Sequence, residues 1–220
     1  LAACIGTQFD LETLAIIYEH HQKDTLNHLW LAIEEGLLLP LDDHYKQLEE
    51  LETGQVIAYF KFQHDRVQQA AYSLIAEVDK KAIHLQIGRL LLANTPEAAL
   101  KDHLFDLVNQ LNEGRDLITE STEKQKLIEL NLAAGQKAKS SSAYQPAKQY
   151  LNTSLALLDK DSWQTQYELT KTIYEEVAET AYLCTEFEKT VRLVDIVLQN
   201  AKTVLDKVKV YEVQIQAYTA

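Results

Sequence analysis

The chain contains no methionine, two cysteines, three prolines and six glycines in 220 residues. So little Gly and Pro leaves few sites for tight turns and points to a helical protein. Cys4 and Cys184 stand apart, outside any Cys-x-x-Cys pair or disulfide framework, so a reducing cytoplasm is the expected compartment. No run approaches the ~18 apolar residues of a membrane-crossing helix, and no basic-then-apolar leader marks a secretory signal. Without methionine the sequence lacks even an initiator. It opens in apolar Leu1-Ala-Ala-Cys-Ile5 and stops within a helical pattern, so it reads as a part of a longer protein. None of the glycines forms Gly-x-x-x-x-Gly-Lys, and a phosphate-binding loop is therefore absent. His64-Asp65-Arg66 is not the His-Arg-Asp of a kinase catalytic loop, since the order differs and no Gly-rich loop or strand Lys accompanies it. The chain itself is expected to be no enzyme, with no catalytic residues.

Positive charge is scarce as well. The net charge is −12, which argues against nucleic-acid or anionic-membrane partners. Residues 1–76 hold four cations (Lys23, Lys46, Lys61, Arg66) against twelve carboxylates.

A length of 220 residues suffices for one large or two small domains, and 46% hydrophobic with 25% charged residues is a globular composition. Asp10 is a plausible N-cap for a first helix carrying Leu11, Leu14, Ala15 and Tyr18 on one face. Asp24 or Thr25 is expected to cap a second, with Leu26, Leu29, Trp30, Ile33 and Leu37 at core spacing and Gly36 ending it in a left-handed conformation. Leu37–Leu41 and Gln55–Phe62 read as two strands, the second alternating Val56, Ala58, Phe60, Phe62 against Ile57, Tyr59, Lys61. An acidic stretch, Asp42 to Gly54, lies between them. A helix resumes at Asp65, with Val67, Ala71, Leu74 and Ile75 inward.

Beyond Asp79 no strand is expected. Residues 80–94 and 97–111 form a helix pair, with Pro96 in the first turn of the second, and Thr122 caps the next helix. Ala138, Tyr144, Ala147, Leu151 and Leu155 are then matched 43 residues later by Ala181, Phe187, Thr190, Val194 and Leu198. Small residues at such positions let two helices approach closely, while an aromatic fills the gap between hairpins. The pattern resembles tetratricopeptide-type pairs, whose period is ~34 residues. The excess is expected in a longer helix or in a loop around Lys160-Asp-Ser-Trp163, and a generic helical bundle is the alternative.

Few residues offer chemistry. His20, His21 and His28 sit near helix ends, without the Cys or carboxylate partners of a zinc set, and no metal site is expected. Trp30 is read as core. Trp163 follows a polar loop and is read as either partly exposed, hence a possible partner-binding anchor, or core. The stretch Phe60-Lys-Phe-Gln-His-Asp-Arg-Val-Gln-Gln-Ala-Ala-Tyr72 joins a strand to a helix with His64-Asp65 at the junction. There the imidazole can donate to a phosphate oxygen or serve local backbone groups, and Asp65 can cap the helix.

That stretch resembles the end of the winged-helix module in signal-transducing ATPases with numerous domains, the STAND-type, MalT-like ATPases. The segments Leu1-Ala-Ala-Cys-Ile-Gly-Thr-Gln-Phe9, Glu35-Gly-Leu37, Phe62-Gln-His-Asp-Arg66 and Leu130-Asn-Leu-Ala-Ala-Gly-Gln-Lys-Ala138 extend the likeness over nearly the whole chain. They look like the arm that follows the ATPase in large bacterial proteins bearing Ser/Thr-kinase and histidine-kinase domains. The resemblance implies a mainly α fold: a winged-helix-like domain with a small β-hairpin over 1–78, then an α-solenoid of tetratricopeptide-like hairpins over 79–220. It also implies nucleotide sensing by His64 and Asp65, with His64 facing ADP in the closed state, although Gln63 replaces the family's Met. The ATP or ADP would be held by the parent's ATPase domain, the intramolecular partner, and the chain would carry no cofactor of its own. The solenoid would receive a protein or small-molecule inducer. The implied function is a non-catalytic regulatory arm of an ATP-dependent signalling protein. Two rival classes are a free-standing helical-repeat scaffold that binds a peptide and a DNA-binding winged helix. The reading helix of the latter, near 25–35, holds no Lys or Arg, which suits DNA poorly.

Overall fold

A computed structural model describes residues 1–49 and 56–219. The expected start of the second strand at Gln55 and the end of the acidic stretch lie outside the described residues. The fold is mainly helical with one small sheet. In chain order the first elements are α1 (Ala2–Ile5), β1 (Gln8–Asp10), α2 (Leu11–Tyr18), α3 (Gln22–Glu34), β2 (Leu38–Pro40), β3 (Tyr59–Phe62) and α4 (Asp65–Ser73). They are followed by α5 (Glu77–Asn94), α6 (Leu104–Glu113), α7 (Ser121–Ser140), α8 (Tyr144–Leu157) and α9 (Ser162–Thr165). The last are α10 (Tyr167–Leu183), α11 (Phe187–Asn200) and α12 (Val208–Thr219). Among the described residues no strand lies beyond Phe62, and no helix is long and apolar enough to cross a membrane.

Asp10 does begin α2 as an N-cap: its carboxylate accepts from Thr13 N–H at 2.7 Å. Two expectations for α3 fail. The helix starts earlier, at Gln22 with His21 as N-cap, so Asp24 and Thr25 lie inside its first turn and cap nothing. Trp30 is 41% exposed and donates to Glu34 at 2.8 Å, because the buried stripe passes through Leu26, Leu29 and Ile33 instead. Gly36 closes α3 at φ 68°, the left-handed conformation that glycine adopts without Cβ strain.

The sheet is antiparallel in the order β1-β3-β2. Its third strand, β1, was not visible in the sequence, since three residues carry no periodicity. Pro40 is tolerated because β2 is an edge strand. The alternation expected in β3 is present: Ala58 and Phe60 are fully buried, while Ile57 and Tyr59 are exposed. The strand is nevertheless shorter than expected. Val56 N–H goes to the Gln22 side chain, at 2.9 Å, while Ala58 C=O accepts from Leu11 N–H, also at 2.9 Å, a bond in register with the β1/β3 pairing that is the last before the chain turns into α2. Phe9 and Phe60 stack at 5.9 Å between ring centres and form the middle of this core. In α4, Val67 and Ala71 pack on that core, but Leu74 is 87% exposed rather than inward.

Packing divides the chain into Leu1–Leu117 and Ile118–Ala220. The position expected for a boundary, after 78, falls inside the first unit. Ile87 of α5 is buried with Cys4 and Ile17, and Gln110 of α6 donates to the Cys4 carbonyl at 2.8 Å. The segment 97–102, expected as helix, is a series of turns after Pro96, and α6 begins only at Leu104.

The 43-residue repeat is visible in the backbone. Ser142 and Thr185 both adopt positive φ, 59° and 61°. The bonds Ala143 N–H to Ala138 C=O and Glu186 N–H to Ala181 C=O are both 2.9 Å. Side chains at matching positions trade volume: Gly135 faces Leu151 in one hairpin, and Ala178 and Val194 occupy the corresponding places in the next. A likeness to the α5/α6 hairpin escaped the sequence reading. Lys81–Asp116, Lys124–Asp159 and Lys171–Asp206 are hydrogen-bonded ion pairs, each spanning 35 residues. Each joins the first helix of a hairpin to the loop after its second helix. From the first pair to the second both partners advance by 43, and Val108, Leu151 and Val194 share the same step with no exposure. The hairpin α5/α6 thus shares this ion pair and this buried position with α7/α8 and α10/α11, although from the second pair to the third both partners advance by 47.

Candidate functional site

Phe60 and Phe62 point into the core, so strand parity turns Lys61 to the opposite face of β3. The chain then passes through exposed Gln63, whose N–H is held by the Leu37 carbonyl at 3.0 Å. His64 is extended, at φ −144° and ψ 149°, and α4 starts at the next residue. Its carbonyl accepts from Val67 N–H at 2.9 Å and begins the helix.

His64 is therefore the N-cap of α4, and its own side chain makes no capping hydrogen bond. Asp65, expected as the cap, is already helical. Its carboxylate does not take the first-turn N–H groups, and its charge lies beside the positive end of the helix dipole. Thr7, Gln8, Lys61, Phe62, Gln63, His64 and Asp65 line an open cleft of about 290 Å³. His64 and Asp65 are exposed and Lys61 is half-buried. Among the described residues neither the His64 ring nor the Lys61 ammonium has a hydrogen-bond or ion-pair partner. The cleft thus presents two solvent-facing donors at the helix start, able to meet a phosphate-like anion, with the Asp65 carboxylate in the same lining opposing it. Lys61, Thr7 and Gln8, which also line the cleft, were not singled out from the sequence. For Lys61 the signal was available in strand parity, but Thr7 and Gln8 enter only because β1 pairs with β3, as in Gln8 with Lys61.

Trp163 lies far from this cleft in sequence, on α9. Its half-buried ring packs on Tyr167 and Tyr174, with centres 5.8 and 5.2 Å apart, at the edge of the second core. His20 stacks on Tyr18 at 4.1 Å with His28 edge-on to the same ring at 5.4 Å. Among the described residues no group of three or more His, Cys, Asp or Glu could hold a metal ion. Both cysteines are free.

A second polar centre joins the helical hairpins in the Ile118–Ala220 unit. Glu176, only 6% exposed, accepts from Lys139 at 2.5 Å and Lys209 at 2.8 Å and links α7, α10 and α12. Burial disfavours its charge, but the two lysine bonds outweigh this and hold the carboxyl below its ordinary value. Its neighbour Glu175 is also buried, and burial pushes that carboxyl above its ordinary value, with Lys209 and Lys171 only partly opposing the shift.

The chain is similar to a segment of hybrid signal transduction histidine kinase G of Dictyostelium discoideum, 28% identical over 250 aligned positions. The match covers 92% of this chain and 7% of that protein, so the chain spans a small fraction of its relative's length. No family model matches the chain. No solved structure matches it either.

Proposed function

We propose that this chain is a non-catalytic regulatory arm of a multidomain, ATP-dependent signalling protein of the cytoplasm, associated with kinase domains. Residues 1–78 are read as a winged-helix-like module, from the order α2, α3, β2, β3, α4. The repeated hairpins are read as a tetratricopeptide-like solenoid that receives a protein or small-molecule inducer. The likeness to part of a signalling histidine kinase supports the setting. The observation that carries the reading is the cleft at the start of α4, which His64 and Lys61 line and where, among the described residues, neither side chain has a hydrogen-bond or ion-pair partner. In the parent protein the two would contact the phosphates of ADP held by the ATPase domain and favour the closed state.

Hydrogen bonds to charged groups contribute about 1.5–3 kcal/mol, which corresponds to roughly ten- to hundredfold in a closed-to-open equilibrium. His64→Ala in the full-length parent is therefore expected to release ADP faster by that factor and to raise basal signalling. Lys61→Ala should act in the same direction. Asp65→Ala should not speed release, since this carboxylate bonds no part of the helix start and opposes the anion. Release rates measured with a fluorescent ADP analogue check this, and equal rates for wild type and His64→Ala overturn the reading. The 220-residue chain alone is expected neither to hydrolyse ATP nor to bind it at micromolar concentration, because it has no element for Mg²⁺ and triphosphate. Calorimetry with Mg-ATP is the measurement.

A further inference from the structure

Helix α4 carries the cleft at its start, yet not one of its residues is fully buried. Besides the packing of Val67 and Ala71 on the first core, two polar anchors hold it. Gln68 donates to the Ala3 carbonyl at 2.7 Å. Tyr72 meets His84 of α5 at 2.9 Å between Oη and Nε2. The second contact continues inward. His84 Nδ1 lies 2.6 Å from Gln110 Oε1 on α6, and Gln110 Nε2 donates to the Cys4 carbonyl of α1 at 2.8 Å. His84 and Gln110 are each 7% exposed.

The roles along this line follow from its inner end. A carbonyl can only accept, so the Gln110 amide nitrogen faces Cys4 and its oxygen faces His84. His84 must then carry its proton on Nδ1, and Nε2 accepts from the Tyr72 hydroxyl. Every donor points the same way, from α4 through α5 and α6 to α1. Such a hydrogen-bonded line, buried at His84 and Gln110, fixes the arrangement of its groups more tightly than apolar contacts, which can slide. Both anchors of α4 also end on adjacent carbonyls of α1, Ala3 and Cys4.

We infer that Tyr72, His84, Gln110 and the Cys4 carbonyl form a coupling strut that carries a displacement of α4 to the hairpin α5/α6. A ligand that shifts the start of α4 thereby acts on the first helical repeat. The inference goes beyond the nucleotide reading and holds for any ligand of that cleft.

Hydrogen exchange in the 220-residue chain tests it without a ligand. Tyr72→Phe removes only a hydroxyl on α4, and is expected to raise amide exchange about tenfold in α4 and also in α6, which Tyr72 does not hydrogen-bond. Gln110→Met, on α6, is expected to raise exchange in α4 by a similar factor. The double variant should exceed neither single by much, since either change already breaks the line. Effects confined to the helix that carries each substitution, or additive in the double variant, overturn the strut. Should Gln110→Met fail to fold, exchange at 104–113 in Tyr72→Phe decides alone: raised exchange supports the strut, and unchanged exchange overturns it.

Discussion

Gly135→Ala is expected to destabilise the Ile118–Ala220 unit, and Gly135→Val to do so severely. A Cβ at Gly135 would lie 2.4 Å from Leu151 Cγ and 2.7 Å from its Cδ2. Leu151 has no exposure, and Cγ is too near its own backbone to swing aside. Overpacking of this kind costs about 1–3 kcal/mol. Alanine recovers ~1 kcal/mol of helix propensity, which leaves a net loss of up to about 2 kcal/mol; valine has little such offset and is expected near ~3 kcal/mol. For a domain of ~100 residues each kcal/mol lowers Tm by about 4–8 °C. The repeat supplies the remedy. One step along, the same two positions hold Ala178 and Val194, both fully buried. Leu151→Val alone removes a methylene from the core and costs about 1 kcal/mol. The double variant Gly135→Ala, Leu151→Val should return to within ~1 kcal/mol of wild type, because the clash is gone. Denaturant titration of the four proteins closes the cycle. Additive losses would show that the two hairpins do not share one packing solution.

Volume exchange of this sort explains what was and was not legible in the sequence. The second and third hairpins were visible because Ala138 and Ala181, Tyr144 and Phe187, and Leu151 and Val194 kept their class at one step. The first was hidden. Thr95 and Lys101 stand where Ala138 and Tyr144 stand later, and Pro96 replaces the compact left-handed turn with a longer one. Its ion pair, Lys81 with Asp116, kept the spacing, but a charge pair 35 residues apart has no periodicity to announce it. In the first unit the parity of β3 was legible because one face is buried. The strand β1 was not, because pairing of Gln8 with Lys61 is a long-range event. Trp30 and Leu74 were misplaced for a related reason. Helical spacing identifies a stripe, but the choice between adjacent stripes depends on what packs there. At the cleft, His64 could be singled out from the sequence. Its lack of a partner among the described residues, and the presence of Thr7 and Gln8 in the same cleft, required the fold.

Loss of the Glu176 charge is expected to be the costliest polar change in the chain, and its pH dependence should oppose that of the neighbouring residue. Breaking a buried ion pair typically costs 3–5 kcal/mol. Here Lys209 is 39% exposed and Glu179 still pairs with Lys139 at 2.6 Å, so Glu176→Gln is expected to cost about 2–3 kcal/mol at neutral pH. The Glu176 carboxyl is held below its ordinary value despite burial, by the bonds from Lys139 and Lys209. The unfolded chain therefore binds the proton more readily, and the contribution of Glu176 is complete above the ordinary carboxylate range. It disappears as pH falls through the lowered folded value, so Glu176→Gln and wild type should converge in acid. Glu175 has the opposite sign. Burial raises its carboxyl above the ordinary value, so the folded chain binds the proton more readily and loses stability as pH rises through the raised value. Glu175→Gln removes this loss and should be more stable than wild type at neutral pH, with the advantage shrinking toward acid. Urea titrations between about pH 2 and pH 8 cover both windows, the Glu176 one lying below the ordinary carboxylate range. If Glu175→Gln destabilises at neutral pH, the ionised carboxylate is favourably held by Lys171 and Lys209, and burial does not govern it. If the Glu176→Gln deficit is constant with pH, the loss is one of packing rather than charge.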